Sequence, residues 1–250
     1  MSINNIVLQA SRRSDCMLAV FPCCGGCVIN PMHENKLFPI YNQQISDSWA
    51  ERNGLLIYEN MKITDQGFTP INLDATAGIT TQIDLRGNTT NKTFVVKAMC
   101  PQHNDHINHL NPLITQGFYT KGNYYYTVQF IIMENDGVLE CRMLASAGQL
   151  SYGLYADFNP TQPNQFHVFA AKYDLESTPG KINFQLYADG SLLKSYTNKY
   201  FTWNQYADNS YNNLAICQST STDYPPPGTV INWAMVFDSL LTVEELKAFT

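Results

Sequence analysis

The stretch Lys181–Tyr196, KINFQLYADGSLLKSY, decides the fold. Ile182, Phe184, Leu186 and Ala188 form an apolar row that alternates with Asn183, Gln185 and Tyr187. A period of two places successive side chains on opposite faces, so this is a half-buried strand. Asp189-Gly190 follows, and both residue types adopt the positive φ angles of a two-residue hairpin at low steric cost. A second strand then returns through Leu192 to Tyr196.

The same signals recur outward from this hairpin. Strands are predicted at 55–58, 80–85, 93–100, 124–133, 138–145, 153–158, 166–173, 182–188, 192–196, 214–217 and 230–237. Arg86-Gly87-Asn88, Asn135-Asp136-Gly137, Pro179-Gly180 and Pro225-Pro226-Pro227-Gly228 punctuate them. Many short strands without interleaved helices predict an antiparallel sandwich or barrel. One helix is predicted at the C-terminal end. Thr242 is a suitable N-cap with Glu245 three residues on, and Val243, Leu246 and Phe249 share a face. Ser48 and Glu51, ahead of Gly54, have the spacing of a single helical turn.

Only 14% of the 250 residues are charged, against about 25% in an average soluble domain. Fifteen Tyr and thirteen Phe give a neutral, aromatic surface suited to sugar contact or protein assembly. A net charge of −6 without a basic run argues against nucleic-acid binding. No apolar stretch approaches the roughly 18 residues of a membrane span. The segment SRRSDCMLAVFPCC (11–24) pairs arginines with an apolar run, but Asp15 and Pro22 leave that run too short for an export signal. Seven cysteines, four of them (Cys16, Cys23, Cys24, Cys27) in one segment, do not form the paired pattern of a disulfide framework. Synthesis in a reducing cytoplasm is expected.

Residues 1–45 hold that cysteine cluster, Gly25-Gly26 and three prolines, and are expected to form an irregular N-terminal arm. Residues 46–250 are expected to form the β domain.

FHVFAAKYD (166–174), Gly180 and LYADG (186–190) together resemble the paired-strand signature of laminin-G-like jelly rolls of the concanavalin A-like lectin and glucanase superfamily. The closing segment PGTVINWAMVFDSLLTVEELKAF (227–249) resembles the last strand and helix of the same family. Phe166 stands where the family prefers Trp, and Cys217 where a Gly usually follows the strand. The resemblance implies an all-β, two-sheet antiparallel jelly-roll sandwich with a short C-terminal helix. It leaves function open, because the sandwich hosts lectins, hydrolases and structural modules.

Hydrolases of the superfamily carry three closely spaced carboxylates on one strand. The nearest approximation here is Glu134-Asn135-Asp136-Gly137-Val138-Leu139-Glu140, whose Asn-Asp-Gly is a turn. Glu134 and Glu140 are therefore placed on different strands, with their carboxylates in solvent, and no catalytic residue is assigned. In CPQHNDHINHLN (100–111), Cys100, His103, His106 and His109 recur every third residue. Imidazole and thiolate ligands suit zinc, and the other reading is a polar loop facing solvent or a neighbouring subunit. KYFTWNQYADNSYNN (199–213) mixes aromatic rings with amides and a carboxylate. Trp203, Asn204, Tyr206, Asp208, Asn209 and Tyr211 are its candidate glycan contacts, because rings stack on sugar C–H faces while polar groups bond hydroxyls. Such an oxygen-rich loop also suits calcium, or simply packs against itself or a subunit.

The favoured reading is a non-enzymatic, lectin-like module of a bacteriophage virion, such as a head fibre, decoration or tail component, made without a signal peptide. Other virion proteins, bound through residues 1–45, glycans and further copies of the chain are its expected partners. The alternatives are a glycan hydrolase or depolymerase of the same fold, and a free bacterial carbohydrate-binding protein.

Overall fold

The computed structural model describes residues 5–21, 27–30, 36–39, 57–59, 61–71, 78–81, 83, 85, 91–101, 109–116, 119–120, 123–124, 128–135, 138–147, 150–160, 164–174, 182–198, 214–217 and 228–250. In chain order they form a short helix α1 (Asn5–Ala10) and the strands β1 (Cys16–Phe21), β2 (Cys27–Asn30), β3 (Lys36–Pro39), β4 (Ile57–Glu59), β5 (Met61–Ile63), β6 (Phe68–Pro70) and β7 (Gly78–Thr80). There follow β8 (Lys92–Met99), β9 (His109–Gln116), β10 (Tyr119–Thr120), β11 (Asn123–Tyr124), β12 (Val128–Asn135), β13 (Val138–Ala147) and β14 (Leu150–Phe158). β15 (Phe166–Asp174), β16 (Ile182–Ala188), β17 (Ser191–Asn198), β18 (Ala215–Ile216), β19 (Val230–Phe237) and the helix α2 (Val243–Lys247) complete them.

The strands form an all-β jelly-roll sandwich. A ten-stranded sheet runs β17-β16-β15-β8-β19-β1-β2-β3, with β6 also paired to β19 and β5 to β6. A seven-stranded sheet runs β14-β13-β12-β9-β18-β7-β4. Every pairing is antiparallel. Between the sheets lies one core, with Phe94, Phe130, Phe169, Tyr173 and Phe184 at its centre. Tyr173 meets Phe94 and Phe184 edge-on, at centroid distances of 5.2 and 5.3 Å, the geometry that the ring quadrupole favours.

The opening hairpin is observed as expected. Ala188 pairs with Ser191, and Asp189 and Gly190 have φ of 47° and 72°. Ile182, Phe184, Leu186 and Ala188 point into the core.

β19 is buried along its whole length because both of its faces are covered. Ile231, Ala234 and Val236 enter the core between the sheets, whereas Trp233, Met235 and Phe237 enter a second cluster on the outer face of the ten-stranded sheet. A register shift between Ile231 and Trp233 switches the alternation, and Asn232, in the shifted position, donates to the Gln66 carbonyl at 2.6 Å. The helices cap this second cluster: Val7 and Ala10 from α1, Leu246 and then Phe249 from and beyond α2. α2 carries the predicted capping box between Thr242 and Glu245.

Four expectations are corrected. The division at residue 45 cuts through the ten-stranded sheet. β1 lies between β19 and β2 as an interior strand, and Leu18 and Val20 belong to the central core. The N-terminal segment also contains a helix, α1, where irregular chain was expected.

β9 was not predicted, because 100–111 reads as a polar loop or a metal site. Pro112 is tolerated because the register against β12 shifts beside it, between Phe130 and Ile131, and a bulge is where a sheet accepts proline. Glu134, expected in solvent, is fully buried. Cys217, where the resembling family carries glycine, has φ of 57°: the left-handed turn is kept without the glycine. The segment 48–54 lies outside the described residues.

Charged groups tie the two ends of the described chain together. Arg13 forms ion pairs with Asp15 and Glu245, and Ser239 Oγ donates to Asp15 at 2.6 Å. The fully buried Lys92 ammonium pairs with Asp238.

Candidate functional site

The hydrolase-like acid pair is not brought together. In the β12–β13 hairpin Glu134 pairs with Leu139 and Met133 with Glu140. Glu134 therefore points between the sheets and Glu140 points outward, since one step along a strand reverses the face.

The candidate glycan contacts Trp203, Asn204, Tyr206, Asp208, Asn209 and Tyr211 lie outside the described residues, as do His103 and His106. His109 begins β9. Cys100, just after β8, is a buried free thiol in the central core. Burial pushes its pKa well up, and Cys217 nearby raises it further, so without a metal ion the thiol stays protonated. Among the described residues no group of three or more His, Cys, Asp or Glu side chains is placed to hold a metal ion.

One described surface that combines an exposed ring with polar groups is the outer face of the seven-stranded sheet, on β12, β13 and β14. Leu154 and Ala156 face the core, so Gly153, Tyr155 and Asp157 face out. Directly across on β13 stand Leu144, Arg142 and Glu140 respectively. Beyond them on β12 are Gln129, Ile131 and Met133.

Tyr155 is 41% exposed. Its ring lies back along β14 over Gly153: a Cβ there would stand 2.7 Å from Tyr155 Oη and 2.8 Å from Cε2. A glycine inside a strand marks such a close approach. The Arg142 guanidinium carbon lies 5.2 Å from the ring centroid, within cation–π range, and Arg142 Nε donates to Glu140. Lys194, from the neighbouring edge strand β17, donates to the Tyr155 carbonyl at 2.8 Å.

The outcome is an exposed ring lying close over Gly153, flanked by a guanidinium and two carboxylates. Such a surface offers an apolar platform, donors and acceptors within one short span of sheet. Sequence reading missed it because its residues are interleaved with core positions on three strands. Gly153 within an alternating strand was the one local signal.

At the opposite sheet, His167 and Asp189 form a second polar pair. Asp189 accepts from Val168 N at 2.9 Å and lies 2.7 Å from His167 Nδ1. Burial alone would raise the Asp189 pKa. The hydrogen bonds from His167 and Val168 outweigh it, with help from the charge of Lys97, and hold the carboxyl below its ordinary value. The His167 ring meets Phe158 edge-on across the sandwich at 4.9 Å, so this pair braces the hairpin against β15.

No protein-family model and no characterised protein sequence matches the chain. Solved structures do match in fold. The botulinum neurotoxin serotype D binding domain superposes with a TM-score of 0.53 at 11% identity, over 94% of this chain and 51% of that one. Trypanosoma rangeli sialidase gives 0.52 at 12% identity, over 77% of this chain and 28% of that one. The chain thus spans about half of the first and under a third of the second. The Ruminococcus gnavus IT-sialidase CBM40, bound to α2,3-sialyllactose, gives 0.49 at 20% identity over 65% and 83%. For the neurotoxin domain and the Trypanosoma rangeli sialidase the likeness, at these identities, is one of fold, and it agrees with the β-sandwich. No helix among the described residues is long and apolar enough to cross a membrane.

Proposed function

We propose that the chain is a non-catalytic, lectin-like glycan-binding module, and that the outer face of β12–β14 is a binding surface. One observation carries the reading: the exposed Tyr155 ring, laid over Gly153 and flanked by Arg142, Glu140 and Asp157. Sugar recognition requires an aromatic face for ring C–H groups beside polar groups that fix hydroxyls. The aromatic, weakly charged composition supports it.

Glycan-array screening followed by calorimetry tests it. Tyr155→Ala should weaken binding about tenfold for each 1.4 kcal/mol lost while leaving the melting temperature nearly unchanged, because the ring is on the surface. Unchanged affinity would remove this face from the reading and leave the Trp203–Tyr211 segment as the candidate surface.

A second reading, glycan hydrolysis, is favoured by the direct opposition of Glu140 and Asp157. Retaining glycosidases need two carboxyls about 5–5.5 Å apart. Against it, the Glu140 carboxylate is already engaged by Arg142 Nε on the same strand. Product release from a bound oligosaccharide, abolished in Glu140→Gln and Asp157→Asn, would establish hydrolysis.

A place on a virion, with other virion proteins and further copies of this chain as partners, is proposed from the sequence resemblance alone. Electron microscopy of particles labelled on this chain tests it. Zinc at His103, His106, His109 and Cys100, or calcium near Asp208, is likewise a proposal, tested by elemental analysis of the purified protein.

A further inference from the structure

We infer that the sugar taken by the β12–β14 face is uncharged rather than acidic; this rests on the glycan-binding reading above. The argument is the charge arrangement around Tyr155. Glu140 and Asp157 stand directly opposite one another on adjacent strands, and like charges so placed repel. Among the described residues of β12–β14, Arg142 is the basic side chain on this face, and it is committed twice. It donates through Nε to Glu140 and stacks against Tyr155. Lys194, from β17, is spent on the Tyr155 carbonyl.

A carboxylate-bearing sugar that bonded the terminal N–H groups of Arg142 would bring a third negative charge beside Glu140 and Asp157, with one guanidinium to balance all three. An uncharged sugar adds no such charge. Its hydroxyls can donate to the Asp157 carboxylate and accept from the terminal guanidinium N–H groups, which Nε pairing leaves free to turn outward. Its C–H face lies on Tyr155. The net charge of −6 acts in the same direction at longer range.

The test uses matched oligosaccharides with and without the acidic group, lactose against α2,3-sialyllactose and cellobiose against cellobiuronic acid, on the full chain at low salt. Uncharged members should bind at least tenfold more tightly than their acidic counterparts. In the double variant E140Q/D157N that ratio should fall at least threefold, with folding verified by thermal melting. Tighter binding of acidic members by the wild-type chain would overturn the inference and leave the glycan-binding reading standing. An unchanged ratio in the double variant would also overturn it, since the carboxylates would not be the source of the preference. Absence of binding to every sugar on a broad array would overturn both.

Discussion

The Asp189 carboxylate closes the β16–β17 turn onto β15 by reaching His167 Nδ1 at 2.7 Å and Val168 N at 2.9 Å. Asp189 thus has two tasks, a left-handed φ of 47° and a charged clasp. Asn tolerates the same φ, so Asp189→Asn isolates the charge. The carboxylate is 40% exposed, and solvent screening limits the expected loss to about 0.5–1.5 kcal/mol. Because the folded carboxyl titrates below its ordinary 3.8, its contribution is fully present above that value. It is lost as pH falls through the lower folded value. Chemical denaturation from pH 6 down to pH 2 should show wild type and Asp189→Asn converging at the acid end; a constant gap would show that the charge is not the cause.

Gly190 adds a steric requirement to that turn. A Cβ there would lie 2.5 Å from Lys247 Cγ and 2.9 Å from Lys247 Cα in α2. The second of these is backbone and cannot swing away. Changing Gly190, at φ of 72°, to Ala should cost the backbone term of about 1–2 kcal/mol plus about 1–3 kcal/mol for the overpacking. Gly228→Ala, also at positive φ but with its nearest atoms 3.6 Å off on Pro101, should cost only the backbone term of about 1–2 kcal/mol. Equal melting temperatures for the two variants would contradict the packing of the turn on α2.

Gly153→Ala probes the proposed binding face without removing any of its groups. The new methyl meets the far end of Tyr155 and a terminal methyl of Leu144. The ring should lift from the strand at small cost in stability while sugar affinity falls. If calorimetry finds affinity unchanged in a folded variant, the ring seated over Gly153 is not the platform.

Deleting residues 1–21 should abolish cooperative folding of the remainder. The deletion removes β1 from between β19 and β2, and takes Leu18, Val20 and Phe21 from two cores. It also removes Arg13 from its ion pair with Glu245 and Asp15 from its hydrogen bond with Ser239, both of which hold the segment after β19. Far-UV circular dichroism and a thermal melt check this; a sharp transition in the truncated chain would show that the sheet closes without β1.

Local sequence determined what local physics controls. The alternation in 182–188, the Asp189-Gly190 turn, the Asn135-Asp136-Gly137 break between β12 and β13 and the Thr242–Glu245 capping box are each settled within a few residues. Backbone period, positive φ and N–H capping act at that range. The resemblance of 166–174, 186–190 and 227–249 to jelly rolls then implied the sandwich that the structure has.

Only tertiary structure decided the rest. CMLAVF (16–21) carries no alternation because β19 and β2 flank it and both of its faces are covered, so its run resembles any apolar segment. The polar run 100–111 hides the start of β9 until its register against β12 is seen. Glu134 reads as a surface acid and is buried because it shares its face with Leu139. The Tyr155, Arg142, Glu140 and Asp157 face is written in two strands whose outward residues become neighbours only through antiparallel pairing. A one-residue slip of either strand would turn its two residues inward, and that register is fixed by the core side chains on the other side of the same sheet.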